Sequence, residues 1–374
     1  MVSDAREQFV IIGSGPAALA CALLRAQRGP VRLLMPRSPQ LIANTNGRVE
    51  VVPSETLALL VELGIPPSTI GVEQLHRHRL VAWRSREPVL SSTPAAAHLL
   101  RPALERAILK RVLQVPYIAV RSIERSSIVA AVEHYAQKGM RVIDASGRKS
   151  ALGQGIVHPP SPWVARLFKV ETPVPECDEV FRLATLPDGY VYRAGNRQCT
   201  TVGIVGRNAL LRGAIDTLRT RLAGGPAAWV VEDLPHCRWT ASGSCVASVQ
   251  WSVPCGFVQI GDAAFAHDAL ASQGIANGLS DACHAAAIYS ETDATRVRAR
   301  IWHAHSAHLH SLASAIKDCC WREEPAWSSY LSFLCSAQIS PAQTATVAVR
   351  NGRLHDLDRA TVLLSAANTL EDVH

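Results

Sequence analysis

Aromatic side chains are scarce in this chain of 374 residues: Phe, Trp and Tyr together make up 5%, and charged residues only 18%. So little charge beside 48% hydrophobic residues excludes a disordered or low-complexity chain, because there is ample apolar surface to bury. Charge of one sign is in short supply as well: 38 Lys and Arg stand against 31 Asp and Glu, a formal +7. The pI near 9.0 is compatible with an acidic partner. A nucleic-acid partner is not expected, since that needs clustered cations interleaved with aromatics. The length exceeds one ordinary core and predicts more than one domain. Among the few aromatics, 8 Trp outnumber 6 Tyr and 6 Phe.

Long apolar runs are missing. The longest, Val10 to Leu24, is broken by Gly13, Gly15 and Pro16, so a membrane span is not expected. Met1 to Gln8 carries Asp4, Arg6 and Glu7 and lacks the basic start and apolar stretch of a secretory leader. No two of the ten cysteines, Cys21 to Cys335, have C-x-x-C spacing, and the adjacent Cys319 and Cys320 do not alter that. The expectation is reduced, mostly buried thiols in a cytoplasmic protein with no metal.

What is present begins at once. Phe9-Val10-Ile11-Ile12 is a short apolar run ended by glycine, which predicts a buried parallel strand. Gly13-Ser14-Gly15-Pro16-Ala17-Ala18 follows, and Leu19 to Arg28 reads as a helix. Strand, G-x-G-x-x-A and helix form the dinucleotide-binding pattern. Gly13 permits the tight turn, Gly15 lets a pyrophosphate reach the backbone, and Ala18 lets the helix pack closely with its positive end toward the phosphates. The same residues also make a plain glycine turn; the position after a clean strand favours binding. The second strand, Val31 to Met35, should end in an acid for the adenosine ribose, but Pro36 and Arg37 follow instead. Either the ribose is held differently, or Arg37 marks an NADP-type site.

A second apolar strand, Gly256 to Ile260, runs into Gly261-Asp262. Beyond it, Gln273-Gly274-Ile275-Ala276-Asn277-Gly278 opens an Ala-rich helix. A strand-end Asp can accept hydrogen bonds from a polyol, and a glycine-rich helix start offers backbone N–H groups to an electron-rich ring or oxyanion. A nicotinamide cofactor needs no such distant second site; FAD does.

With these motifs in hand the chain resembles the superfamily of FAD-dependent aromatic hydroxylases and flavin halogenases, over roughly residues 9 to 290. Four motifs in order carry the resemblance: Gly13-x-Gly15-x-x-Ala18, the helix start Arg101-Pro102-Ala103-Leu104-Glu105, Val142-Ile143-Asp144-Ala145-Ser146-Gly147, and Gly261-Asp262 with Gln273 to Gly278. The resemblance implies an α/β fold with a Rossmann-type FAD-binding domain in three pieces (1–69, 98–160 and 246–294). An antiparallel-sheet substrate domain (70–97 and 161–245) and a helical C-terminal segment (295–374) complete it. It further implies that Gly13 to Ala18 lie at the nucleotide and that Arg101 lies by the flavin and its phosphates; Arg37, after the second strand, is kept as a cofactor-binding candidate. Glu50, in Gly47-Arg48-Val49-Glu50, matches the family's acidic turn near the flavin, or else is a surface acid before a helix. Asp262 would hold the ribitol, and Gln273, Gly274, Ile275 and Ala276 would follow the flavin edge.

Halogenases of this superfamily carry a lysine and a Trp-x-Trp-x-Ile-Pro segment near the substrate. This chain has neither; the equivalent region reads His76-Arg77-His78-Arg79, so halogenation is not expected. The forms Asp144-Ala145-Ser146-Gly147 and His267-Asp268-x-Leu270-x-Ser272-Gln273-Gly274-Ile275 are most similar to the flavoprotein tryptophan hydroxylases of tryptophylquinone cofactor biogenesis, although Ala269 stands where that family has Pro. The resemblance then implies hydroxylation of a tryptophan in a peptide or protein by O₂ captured at C4a of reduced FAD. His267 and Asp268 are the candidate catalytic residues, as donors or ring-deprotonation aids. Electrons would come from NAD(P)H bound transiently or from a separate flavin reductase. The alternatives are a small-molecule aromatic hydroxylase, a flavin-dependent reductase or dehydrogenase, and a non-catalytic partner with a degenerate flavin fold.

Period-two stretches such as Leu80-Val81-Ala82-Trp83, Tyr190-Val191-Tyr192-Arg193 and Thr200 to Val205 predict an antiparallel sheet that roofs a substrate pocket. Trp83, Trp163, Tyr190 and Tyr192 would line that pocket or fill the core. From Thr295 the pattern is helical. His305 and His308 share a helix face there, but a solvated or pocket-facing helix explains the four histidines from His303 to His310 better than a metal.

Overall fold

The computed structural model describes residues 9–38, 47–153, 155–158, 161–171, 180–196, 199–232, 234, 237–246, 249–252, 257–266 and 273–337. A five-stranded parallel sheet runs, in spatial order, Phe257–Gln259 (β15), Arg141–Asp144 (β7), Phe9–Ile12 (β1), Val31–Met35 (β2) and Ile118–Ser122 (β6). β1 lies at its centre with all four residues buried, as its unbroken apolar run requires. Its side chains alternate between two cores. Phe9 and Ile11 pack with the helices Pro16–Ala26 (α1) and Arg101–Leu113 (α3). Val10 and Ile12 pack with Ile128 and Val132 of Ile128–Gln137 (α4). The first helix starts at Pro16, earlier than its apolar pattern suggests, and ends at Ala26. Proline lacks an N–H and has a preset φ, which suits the first helical turn.

The second sheet has eight strands in the order Arg238–Val246 (β13), Trp163–Glu171 (β9), Thr200–Arg207 (β12), Gly189–Gly195 (β11), Phe181–Leu186 (β10), Leu75–Ala82 (β4), Val89–Leu100 (β5) and Val49–Pro53 (β3). It is not wholly antiparallel, because β10 pairs parallel to β4. Nor does it stop at residue 70: β3 joins its edge antiparallel to β5, with Glu50 opposite Leu99. A small third sheet orders Phe265–Ala266 (β16), Val249–Ser252 (β14) and Gly155–His158 (β8). The helix Ser54–Glu62 (α2) follows β3, and Ile215–Ala223 (α5) packs on one face of the large sheet through Leu218 and Leu222. Gly274–Ala285 (α6) returns to the parallel sheet and packs on its α1 side.

The other face of the large sheet is covered by the helices Glu291–Lys317 (α7) and Pro325–Ala337 (α8). α7 opens with a capping box, Ser290 and Asp293 each satisfying the other's backbone N–H. The sheet's aromatics are what these helices sit on. Trp163 and Tyr190 are fully buried, with Trp163 stacked on Tyr330 at 4.2 Å and edge-on to Trp327 at 4.8 Å. Half-buried Trp83 donates its indole N–H to Ala315 O (2.8 Å), and Tyr192 packs against the same cluster. These four aromatics therefore belong to the core beneath the C-terminal helices. Among the described residues no helix is long and apolar enough to cross a membrane.

Candidate dinucleotide and flavin site

The loop between β1 and α1 is shaped by two glycines with opposite surroundings. Gly13 has φ +145°, and a Cβ placed on it would lie 2.3 Å from Ala145 O and 2.8 Å from Ala18 Cβ. Its N–H donates to Leu34 O (2.9 Å), tying the loop to β2. A Cβ on Gly15 would meet only Arg101 Nη2, at 4.0 Å, so open space lies before the first turn of α1. Pro16 and Ala17 continue that turn. A Cβ on Gly261 or Gly278 would come within 3.2 or 3.3 Å of Ala17 Cβ, so the loop, the Gly261 turn and α6 approach closely because all three positions are small.

Charged side chains surround this opening. Arg101 is the first residue of α3, where the helix dipole disfavours a cation. Two acids offset that: Arg101 Nε donates to Glu105 Oε1 (2.7 Å), and its Nη1 lies 3.6 Å from Glu50 Oε1. Arg48 Nε donates to the same Glu50 oxygen at 2.7 Å. Burial alone would raise the Glu50 pKa, but Arg48, Arg101 and Arg148 together hold it below the usual carboxylate range. Glu50 lies within β3, not in a turn. Arg37 follows β2; its N–H donates to Ser14 Oγ (3.1 Å), and its Nη2 lies 3.6 Å from Glu105 Oε2. The network Arg37, Glu105, Arg101, Glu50 and Arg48 thus sets three guanidiniums against two carboxylates at the N-terminus of α1. Open backbone, a helix N-terminus and surplus cation suit a diphosphate.

Across the opening, Gly261 adopts φ +57° and donates its N–H to Asp281 Oδ2 at 2.9 Å. Burial pushes the Asp281 carboxyl up to about 6, against the pull of the Gly261 N–H and Arg300. Asp262 comes next, its Oδ2 3.1 Å from Arg148 Nε. Its Oδ1 would lie 3.8 Å from a Cβ on Gly274, the first residue of α6. Gln273 stands at the N-cap position of that helix without a side-chain capping bond, Ile275 is buried and Ala276 is half-buried. Buried Asp144, at the end of β7, accepts from Ser146 N (2.9 Å), Ser150 Oγ (2.6 Å) and Leu152 N (3.3 Å). That holds the loop which presents Ala145 O to Gly13 and Arg148 to Asp262.

The glycine loop, Arg37, Glu50, Arg101, Asp262 and the start of α6 therefore meet at one place, contributed by distant parts of the sequence. His267 and Asp268 lie outside the described residues. Arg48, Glu105, Arg148 and Asp281 also belong to the site, although no sequence pattern marks them for a role. Three of them sit inside or next to the motifs quoted above, and Asp281 is an acid on an Ala-rich helix. Among the described residues no group of three His, Cys, Asp or Glu could hold a metal ion. His305 is buried and stacks on Phe265 at 3.7 Å.

No protein family and no curated protein matches the chain by sequence. Solved structures do match by fold. The peptidyl tryptophan dihydroxylase QhpG, essential for tryptophylquinone cofactor biogenesis, superposes with TM-score 0.66 at 18% identity, covering 87% of this chain and 79% of that one. The flavin-dependent halogenase CmlS gives TM-score 0.65 at 17% identity over 98% of this chain and 78% of that one. PqsL, a probable FAD-dependent monooxygenase from Pseudomonas aeruginosa, gives 0.61 at 13% identity over 87% and 99%. The parallel sheet with its glycine loop, the large sheet beside it and the helical C-terminal region are together the fold shared by flavin-dependent monooxygenases and halogenases.

Proposed function

We propose that the protein is an FAD-dependent monooxygenase that hydroxylates a tryptophan in a peptide or protein during biogenesis of a tryptophylquinone cofactor. The observation that carries the reading is the meeting of the Gly15 opening, with Arg101 beside it, and the Gly261-Asp262 turn at the start of α6. One end suits a diphosphate and the other a polyol followed by an electron-rich ring, which is the order of groups in FAD. The choice of peptidyl tryptophan rests on the likeness to QhpG and on the motif forms at Asp144 and Gln273.

Bound FAD supplies the activation of O₂ once reduced. The chain's own residues bind, orient and exclude water. Backbone N–H groups at Gly15 and the Arg101 guanidinium hold the diphosphate, and Asp262 accepts from ribitol hydroxyls. The N-terminus of α6, from Gln273 through Ala276, directs backbone N–H groups to the electron-rich edge of the ring. Indole carbons are nucleophilic without deprotonation, so the site needs proton donors more than a strong base. His267 is assigned to that work, and Asp268 to orienting it or assisting ring deprotonation. The division into a three-piece FAD-binding domain, a sheet domain and a helical segment, and a cytoplasmic setting supported by free Cys21, Cys199 and Cys319, belong to the same proposal. Electrons come from NAD(P)H or a partner flavin reductase.

Incubation of the protein with FAD, a reductant and tryptophan-containing peptides, read by mass spectrometry, tests the reading. A gain of one or two oxygen atoms on tryptophan is the expected result. Oxygen consumption with an unmodified peptide, but with a hydroxylated small aromatic, selects instead a small-molecule hydroxylase, the reading favoured by the likeness to PqsL, whose structure is also solved in complex with 2-aminobenzoylacetate. Reduction of a substrate without oxygen uptake overturns both.

A further inference from the structure

The second strand lacks the acid that would hold an adenosine ribose, and an arginine stands there instead. We infer that Glu105, from a different helix, replaces that acid as the organising carboxylate of the site, and positions Arg37 and Arg101 on the ADP half of the cofactor. The inference rests on the FAD reading above and adds a role for a residue outside the glycine loop.

Glu105 is 4% exposed, and each of its two oxygens faces a different guanidinium. Oε1 accepts from Arg101 Nε at 2.7 Å, and Oε2 lies 3.6 Å from Arg37 Nη2. The arginines are more open, with side chains 24% and 43% exposed, so the carboxylate is the fixed hub and the cations are its outward arms. Both arms border the glycine loop. Arg101 Nη2 is the nearest group to the space above Gly15, and the Arg37 backbone is hydrogen-bonded in both directions to Ser14 Oγ, at 3.1 and 3.4 Å. Glu105 sits one turn into α3, just behind Arg101, so it also offsets the cation at the helix start. A buried carboxylate between two half-exposed guanidiniums fixes their direction while leaving N–H groups free for an anion. A guanidinium presents several donors in a rigid plane, so one edge can bond Glu105 while another faces a phosphate or ribose oxygen. The strand-end acid of the usual pattern accepts from the ribose; here the site donates to it.

The test compares FAD with ADP as ligands of the apoprotein, by flavin fluorescence quenching and by calorimetric titration. In Glu105→Gln, the affinities for FAD and for ADP are expected to fall by the same factor, about tenfold, because the lost positioning acts on the half the two ligands share. Arg37→Ala, on a more exposed side chain, is expected to lower both affinities with an unchanged thermal melt of the apoprotein. Arg37→Lys should recover part of that loss by restoring the charge. Weaker FAD binding with ADP binding unaltered overturns the inference, since Glu105 would then act on the flavin half. So does unaltered binding of both ligands in Glu105→Gln, whatever Arg37→Ala does. A wild-type apoprotein that binds neither ligand overturns the FAD reading itself.

Discussion

Gly13 and Gly15 lie two positions apart and would meet an added methyl group in opposite ways. At Gly13 the methyl lands 2.3 Å from a backbone oxygen at φ +145°, so neither a side-chain rotation nor a small shift relieves it. Gly13→Ala is expected to cost about 3 kcal/mol or more of stability, read by chemical denaturation of the apoprotein. At Gly15 the methyl enters open space at φ −94°, which any residue adopts. Gly15→Ala should therefore melt like the wild type yet bind FAD at least about tenfold more weakly, because the methyl occupies the space the proposed function gives to the diphosphate. Equal effects of the two substitutions would remove the assignment of that space to a phosphate. Asp262→Ala should likewise abolish FAD-dependent turnover, measured as oxygen uptake, since the proposed function makes its carboxylate the polyol acceptor; unchanged turnover would remove that role. Asp281 makes a pH prediction. Its folded pKa is raised to about 6 by burial, so the neutral form is favoured by folding. The stability this contributes is fully present below the ordinary carboxylate range and is lost as pH rises through about 6, by up to ~3 kcal/mol. Asp281→Asn keeps an acceptor for the Gly261 N–H and should flatten that part of the profile between pH 4 and pH 7. An unchanged profile would show that Asp281 is not the group responsible.

At the scale of elements, α8 is held to the large sheet by aromatic packing and by the buried hydrogen bond from Trp327 Nε1 to Leu186 O at 2.7 Å. Trp327 is fully buried and touches Trp163 edge-on, with Trp83 beyond it at 5.6 Å. Trp327→Ala is expected to cost about 3–5 kcal/mol through the cavity it leaves. Trp327→Phe keeps most of the packing but removes the hydrogen bond to the Leu186 carbonyl, at about 1 kcal/mol. Urea denaturation of both variants separates the two contributions. The elements most legible in the sequence are those whose cause is local. β1, β2 and the glycine turns followed from apolar runs and from residues that only a turn can use. The parallel pairing of β10 with β4, and the joining of β3 to the large sheet, were not legible, because pairing partners far apart in sequence leave no local mark. The site divides in the same way. Arg101 and Asp262 stood in recognisable motifs that carried a role, whereas Glu105 (within the same motif as Arg101), Arg148 and Asp281 acquire a role only from the neighbours that folding brings to them. Trp163 and Tyr190 show the converse. Their alternation fits a pocket roof as well as a core, and only the packing of α7 and α8 over them decides for the core.

The whole molecule is tied together at the candidate site. β3 carries Glu50 on the edge of the large sheet, while the backbone N–H of Arg101, at the start of α3, donates to Arg48 O at 2.9 Å just before that strand. The network of Glu50, Arg101 and Glu105 thus spans the large sheet and the helix layer of the parallel sheet, and Ala17, Gly261 and Gly278 bring α1, the Asp262 turn and α6 into contact beside it. A ligand that bonds to these groups at once adds a link between pieces of chain that are distant in sequence and already share one buried core. FAD at about a hundredfold over its dissociation constant should therefore stabilise the fold by about 2.7 kcal/mol, the amount set by mass action. More tellingly, the gain should be distributed. Amide hydrogen exchange should slow in Gly13 to Ala18, in β3 and at the start of α6 together, because each contributes a group to the same ligand. ADP should slow exchange at the glycine loop and the start of α3 while leaving Gly261-Asp262 and α6 at their free rates. If ADP protects the Gly261 turn as strongly as FAD does, the two ends of the opening are not separate subsites, and the ordering of diphosphate, polyol and ring along the site is wrong.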